Sequence, residues 1–304
     1  CLVSILPGMA QTEKLTDYVN PFVGTDGYGN VYPGAQIPFG GIQMSPDTDS
    51  RFYDAASGYK YNHLTLMGFS LTHLSGTGIP DLGDFLFIPG TGEMKLEPGT
   101  HEDPDKGYRS RYSHDKEWAS PNYYAVELAD YGVKAEMTSG VRSGMFRFTY
   151  PESDSAFIMI DMNHTLWQSC EWSNLRMIND STITGYKLVK GWGPERHVYL
   201  TATFSKKLTG LRFMQDKKPV IYNTSRFRSS YEAWGKNLMA CLSFDTKAGE
   251  EVIVKTAVSA VSTDGARNNM KELDGLTFNE LKAKGEALWE KELGKYTLTA
   301  DRKT

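Results

Sequence analysis

The chain has 304 residues and a net charge of −4, with 40% hydrophobic and 23% charged residues. That size and balance fit a soluble globular protein built as one large domain, or as a domain with an appendage. The acidic balance argues against a nucleic-acid partner, because a phosphate-binding surface needs a basic excess.

Residues 1–10 read CLVSILPGMA, a short apolar run closing on small residues. The run is too short to span a bilayer. It has the form of the end of a secretory signal, cleaved after Ala10; a mildly apolar tail is the alternative. The expectation is an exported protein (periplasmic, cell-surface or secreted) without a membrane span. Residues 17–89 are rich in Gly, Pro, Asn and Asp between short apolar runs, which marks the turns and long loops that carry binding residues. From 123 onward the pattern turns to strands. Segments 123–129 and 133–138 flank Asp130-Tyr131-Gly132 as a hairpin. Further strands are expected at 145–150, 157–162, 182–189, 198–204, 238–244 and 252–261. Many strands, frequent turns and no βαβ alternation predict a mainly β fold, a large antiparallel β-sandwich. At the C-terminal end, Thr277 followed by Glu280 is a capping-box pattern, and Leu281, Leu288, Trp289 and Leu293 recur at helical spacing. An amphipathic helix from Thr277 to about Lys295 follows, with an apolar face that needs a partner. The tail 296–304 adds no closing element, so the natural chain is expected to continue.

Aromatic residues make up 12% of the chain, with 17 Tyr and 6 Trp. They suit cores and also stacking on sugar faces. Cys1, Cys170 and Cys241 include no CxxC pair, which argues against zinc. Cys170 and Cys241 read as buried free thiols in strands, with a disulfide between them as the alternative.

The densest chemistry lies between Tyr18 and Asp84. Gly24-Thr25-Asp26-Gly27 is a turn that offers backbone amides and a carboxylate, and Pro33-Gly34 and Pro38-Phe39-Gly40 fix further bends. The stretch from Thr72 to Gly78, THLSGTG, gathers hydroxyls, an imidazole and flexible backbone in one loop, with Asp81 and Asp84 close behind. Such loops suit hydroxyl-rich ligands, which are held by carboxylates, amides and hydroxyls around an aromatic platform.

The runs NPFVGT, PGAQIPFG, SPDT, SGYKY, GFSLTHLSGTG and D-x-GD follow one another between Asn20 and Asp84. On them the chain resembles the N-terminal domain of glycoside hydrolase family 92. The resemblance implies a β-sandwich (supersandwich) over 14–265. Over 266–304 it implies a linker helix and the start of an (α/α)6 catalytic barrel, against which the sandwich packs. It also implies an inverting, Ca²⁺-dependent exo-α-mannosidase acting on terminal α-mannosides of glycans such as N-glycans or mannans. The acid, the base and most calcium ligands would belong to the barrel. Inverting hydrolysis needs two carboxyls roughly 6.5–9.5 Å apart; this chain is expected to lack that pair and to be inactive alone. The implied contacts to the released mannose are Phe22, Gly24, Thr25, Ala56, Ser57, Gly58 and Tyr59, with His73, Thr77 and Gly78 bordering the same cleft. Ile79 stands where some relatives carry an aromatic that packs on the next sugar. Its aliphatic side chain is expected to hold that sugar less firmly.

Each residue also has a plainer reading. His73 would bond a backbone carbonyl inside a buried loop. Asp47 would shape an Asx-turn, and Asp81 and Asp84 would cap turns before a strand at 85–88. Phe22 and Tyr59 would be core aromatics. His63, His101, His114, His164 and His197 would be solvated or structural. Trp167 and Trp172, in WQSCEW, would pack in the core or at a domain interface ahead of serving as a sugar platform. Sequons begin at Asn163, Asn179 and Asn223. Two other functions compete: a stand-alone carbohydrate-binding module, opposed by the uncovered helix, and a disaccharide phosphorylase of related build, opposed by the loop motifs.

Overall fold

The computed structural model describes residues 13–50, 55–221 and 231–297. The signal-like run 1–10, the Asn223 sequon and the tail 298–304 lie outside the described residues.

Short strands come first: β1 (Ser45–Asp47), β2 (Thr65–Leu66), β3 (Gly68–Ser70), β4 (Leu86–Thr91), β5 (Ser110–Arg111) and β6 (Glu117–Ser120). Longer ones follow: β7 (Tyr123–Leu128), β8 (Val133–Ser139), β9 (Ser143–Tyr150), β10 (Ser153–Asp161), β11 (Ser169–Asn179), β12 (Thr182–Lys190) and β13 (Arg196–Phe204). The strand set closes with β14 (Gly210–Gln215), β15 (Lys218–Pro219), β16 (Glu232–Gly235), β17 (Leu238–Thr246) and β18 (Glu250–Ser259). Helices α1 (Thr263–Met270) and α2 (Phe278–Leu293) end the described chain. A seven-stranded sheet runs β1-β3-β4-β10-β17-β14-β15, and a nine-stranded sheet runs β16-β11-β12-β13-β18-β9-β8-β7-β6. Every pairing is antiparallel.

The two sheets face each other across one apolar core. In β9, Phe146 and Phe148 point inward while Arg147 and Thr149 point out, the period-two pattern of a half-buried strand. Phe146 meets Phe87 of β4 at 5.1 Å between ring centres and Phe69 of β3 at 6.3 Å. The outer face of the seven-stranded sheet is covered by the 92–110 loop, through Met94, Leu96 and Tyr108 over Met67, Met159 and Met239. The outer face of the nine-stranded sheet is covered in part by the C-terminal segment, through Leu273, Phe278 and Leu281 over Met145. Thr277 caps α2 with the expected reciprocal bonds to Glu280. Cys170 and Cys241 are buried free thiols, and burial pushes the Cys241 thiol up to about 12.

The expected strands are present, each within a few residues. The sequence pattern does not mark β1, β2, β3, β5, β6, β11, β14, β15, β16 or α1. In β11 the exposed Trp172 and Ile178 and the buried Ser173 and Asn174 blur the alternation. No helix among the described residues is long and apolar enough to cross a membrane.

Register collects one set of connections at one end. The β8–β9 turn, the 162–168 link, the β12–β13 turn, the β16–β17 turn and the exit of β18 toward α1 all lie there.

Candidate functional site

Three loops meet at that end. In the first, Asn20 Oδ1 accepts from the Phe22 amide, and Thr25 donates through both its amide and its hydroxyl to the Phe22 carbonyl. This closes the NPFVGT run into a tight turn. Gly24, with φ +86°, accepts from the Val31 amide as the chain returns. In the second loop the Gly58 amide donates to Ala55 O, and Gly58 O accepts from the Thr48 amide at 2.6 Å. The third loop runs from Leu71 to Asp84 and is closed by Gly83 N donating to Thr72 O.

The Asn30 carbonyl ties the three together, accepting from Gly76 N at 2.7 Å and from the Ser57 hydroxyl. Tyr61 N donates to Thr25 O at 3.0 Å, joining the first two loops again. Helix α2 holds the first loop from behind. Glu290 accepts from Thr16, and the Trp289 indole donates to Gln36 O at 2.7 Å.

Beneath the loops sit two buried carboxylates. Asp47 lies between two imidazoles: His73 Nε2 is 2.8 Å from Oδ1, and His164 Nε2 is 2.8 Å from Oδ2. The His73 Nδ1 lies 2.8 Å from Gln43 O. Burial works to raise the Asp47 carboxyl, and the two histidines more than offset it, holding it well below the usual carboxylate range. Asp84 accepts from the Thr72 hydroxyl at 2.7 Å, pairs with Arg196 at 2.5 Å and with the fully buried Lys187 at 3.1 Å. There too burial pushes upward and the cations win. Lys187 also donates to His164 O at 2.6 Å, which links the two centres.

A third carboxylate, Glu117, accepts from Tyr59 at 2.9 Å, from Tyr124 at 2.5 Å and from His114 Nδ1 at 2.6 Å. Burial, followed by Tyr112 and Glu117, drives the Tyr59 phenol far above its ordinary value. Above it, Phe22 packs edge-on to Tyr61 at 5.8 Å, and Tyr61 stacks on His114 at 3.9 Å.

The implied contact residues therefore fall in three layers. Thr25, Ala56, Ser57, Gly58, Tyr59 and His73 are buried; Phe22, Gly24 and Thr77 are partly buried; Gly78 and Ile79 are exposed. His73 makes the backbone bond of its plainer reading. Gly58 explains itself: at φ +85° a Cβ there would lie 2.0 Å from Asp47 Oδ1.

Several plainer readings need correction. Asp47 forms no Asx-turn; it is a fully buried strand residue held between two imidazoles. Asp84 does not merely cap a turn, because two cations and a hydroxyl claim it, and the strand behind it runs Leu86–Thr91. Trp167 and Trp172 are not core residues; both side chains are about half exposed. His164, Lys187, Arg196 and Glu117 went unnoticed as members of the site. The one local signal was Lys187, a lysine at an inward position of an alternating strand.

Among the described residues no three His, Cys, Asp or Glu side chains group to hold a metal ion. Ca²⁺ wants six to eight oxygens, so these side chains do not fit it.

The family model described as the glycosyl hydrolase family 92 N-terminal domain matches residues 18–259. A GH92 alpha-mannosidase from Bacteroides thetaiotaomicron, solved in complex with mannoimidazole, superposes with a TM-score of 0.93 at 97% identity, covering 95% of this chain and 38% of that one. A second GH92 family glycosyl hydrolase superposes with a TM-score of 0.79 at 27% identity, covering 94% of this chain and 38% of that one. An uncharacterized secreted glycosidase of Arthroderma benhamiae is 29% identical over 140 residues, covering 45% of this chain and 18% of its own length. The chain thus spans well under half the length of these relatives. With the sandwich, the loop motifs and the family match in agreement, the chain belongs to glycosyl hydrolase family 92, of which it carries the N-terminal domain.

Proposed function

We propose that this chain is the substrate-binding half of an inverting exo-α-mannosidase acting on terminal α-mannosides of glycans such as N-glycans or mannans. The observation that supports it best is the knot at the Asn30 carbonyl, which brings the NPFVGT, SGYKY and THLSGTG loops into one rim. Phe22, Gly24 and Thr77 present a partly open wall on this rim, while Thr25, Ser57, Tyr59 and His73 act from below by fixing the backbone. Preorganisation of this kind holds a sugar in one pose without ordering cost at the moment of binding.

The carboxyl pair of an inverting hydrolase belongs, in this proposal, to an (α/α)6 barrel that packs on α2 and the loop end. Asp47, Asp84 and Glu117 are poor candidates for acid or base, since each is buried and fully engaged. Ca²⁺ is proposed to be held by the barrel and supplies electrostatic help there. Export to the periplasm, the cell surface or the medium completes the reading, supported by the secreted relative.

The test compares this chain with the longer polypeptide in which the barrel follows it. The longer protein is expected to release mannose of inverted anomeric form from an aryl α-mannoside, and to lose that activity with a chelator. The chain alone is expected to turn over nothing. Persistent turnover by the chain alone, or retention of configuration by the longer protein, would defeat the proposal.

A further inference from the structure

His114 lies outside the loop motifs, on the short turn between β5 and β6. Ser113 opens that turn, its hydroxyl accepting from Asp115 N at 3.3 Å and its carbonyl from Lys116 N at 2.9 Å. From there the imidazole reaches the second loop. Its Nε2 lies 2.8 Å from Tyr61 O, and its plane stacks on the Tyr61 ring at 3.9 Å between centres and 4° between planes. Its Nδ1 lies 2.6 Å from Glu117 Oε2. Tyr112 stands edge-on to it at 5.5 Å and is itself tied through its hydroxyl to His63 O at 2.7 Å. The imidazole is thus held by its face, its edge and both nitrogens.

Phe22 leans on what His114 holds. The Phe22 ring has no polar atom, so packing decides where it sits. It is edge-on to Tyr61 at 5.8 Å and tilted against Tyr59 at 6.4 Å. Both tyrosines trace back to one carboxylate. Tyr59 donates its hydroxyl directly to Glu117 at 2.9 Å, and Tyr61 reaches Glu117 through His114. The Glu117 side chain is buried and also accepts from Tyr124. Tyr61 is 38% exposed, and an exposed ring ordinarily hops between rotamers; the stack on His114 removes that freedom. The Tyr61 amide also donates to Thr25 O at 3.0 Å, so the same residue steadies the backbone of the first loop.

We infer that His114 is a positioning residue for the mannose wall: hung from Glu117, it fixes the Tyr61 ring and thereby the pose of Phe22. This rests on the mannosidase reading above, in which Phe22 meets the released mannose. A displaced wall lets that sugar settle away from the reactive geometry, and a misplacement of about 1 Å costs roughly 100-fold in rate. The loss is blind to the leaving group, because the wall touches only the sugar being released.

The test uses the longer protein. His114→Phe keeps a plane against Tyr61 and removes both nitrogens. It is expected to lower kcat/KM by roughly 10- to 100-fold, by the same factor on an aryl α-mannoside and on mannobiosides, with thermal unfolding still cooperative. The deciding measurement is a double-mutant cycle with Phe22→Ala. Since His114 acts through Phe22, His114→Phe should change kcat/KM by no more than about twofold in the Phe22→Ala background. Additive losses would overturn the inference, because a residue that merely supports the fold harms both backgrounds alike. Unchanged kinetics in His114→Phe, or in Phe22→Ala, overturn it too. Where His114→Phe does not fold, Glu117→Gln, which keeps the volume, enters the same cycle with the same expected outcomes. If neither folds, the pair serves the fold and not the wall, and the inference fails. A parent protein inactive on every α-mannoside would instead sink the mannosidase reading itself.

Discussion

Between the sheets, Phe69 and Phe87 press against Phe146 and Phe148, and the contact between the layers is one of hydrophobic burial. At the loop end, a few residues away along β3 and β4, the same depth of burial is occupied by Asp47, His73, Asp84 and Lys187. Apolar packing tolerates substitutions that conserve volume and is indifferent to pH. A buried ion pair gains little over an apolar replacement, but breaking it exposes one uncompensated charge to a medium that cannot solvate it. The body of this sandwich is built for stability. Its loop end uses charges to impose one backbone arrangement on three long loops rich in glycine.

The comparison is sharpest at Asp84. Asp84→Asn leaves Lys187 fully buried without its carboxylate, and the expected loss is about 3–5 kcal/mol. Phe146→Ala in the core should cost about the same, roughly 3–5 kcal/mol. Two further measurements separate them. Adding Lys187→Met should restore a good part of the Asp84→Asn loss in urea denaturation, whereas no second substitution of charge rescues Phe146→Ala. The pH profile should differ as well. The Asp84 carboxyl is depressed in the folded state, so its contribution is fully present above the unfolded value and fades as pH falls through the folded one. Loss therefore begins below about pH 4, the ordinary carboxylate range. Phe146→Ala should keep that acid limb; Asp84→Asn should flatten it, leaving the part owed to Asp47. Identical acid limbs in the two variants would show that Asp84 carries no linked proton.

Gly58 tests whether the loops depend on the charges beneath them. A methyl at this position meets both a left-handed φ and the Asp47 carboxylate. Gly58→Ala is expected to cost about 1–3 kcal/mol and to weaken mannoside binding in the longer protein, because Gly58 O anchors the Thr48 amide and the neighbouring Ser57 bonds to Asn30. Full binding with reduced stability would mean that the loop readjusts without the Asp47 contact.

What the sequence revealed follows the same division. Strands announced themselves because inward and outward residues alternate within a handful of positions, as in MFRFTY. The helix announced itself through Thr277 and Glu280. The loop motifs carried the resemblance to the family, which the match over residues 18–259 bears out. The charged frame was illegible because its partners are remote: His164 lies 117 residues from Asp47, and Arg196 lies 112 from Asp84. Only the register of β10, β12 and β13 brings them together. Asp47 looks like a turn residue in SPDT because nothing nearby says that two imidazoles will close on it.

The smallest effect is expected at Thr277, where the two modes of support meet at the start of α2. The Thr277 hydroxyl accepts from Glu280 N at 3.3 Å, and Glu280 Oε2 accepts from the Thr277 amide at 2.8 Å. The cap starts the helix that carries Phe278 and Leu281 onto the outer face of the nine-stranded sheet. Thr277→Ala removes one half of the exchange and should cost about 1 kcal/mol. Glu280→Ala removes the other half, and the two losses should fall short of additive, since either change alone dissolves the reciprocal pair. The Glu280 carboxyl is held below its usual value, first by the Thr277 amide, so the cap contributes above the unfolded value and weakens as the pH drops. At the other end of the same helix, Glu290 and Trp289 hold the first loop. Fraying at the first turn should leave that grip intact, so mannoside binding by the longer protein should not change in Thr277→Ala. A binding loss as large as that of Gly58→Ala would mean that α2 behaves as one rigid lever, and that the loop end is positioned from outside the sandwich as much as from the charges within it.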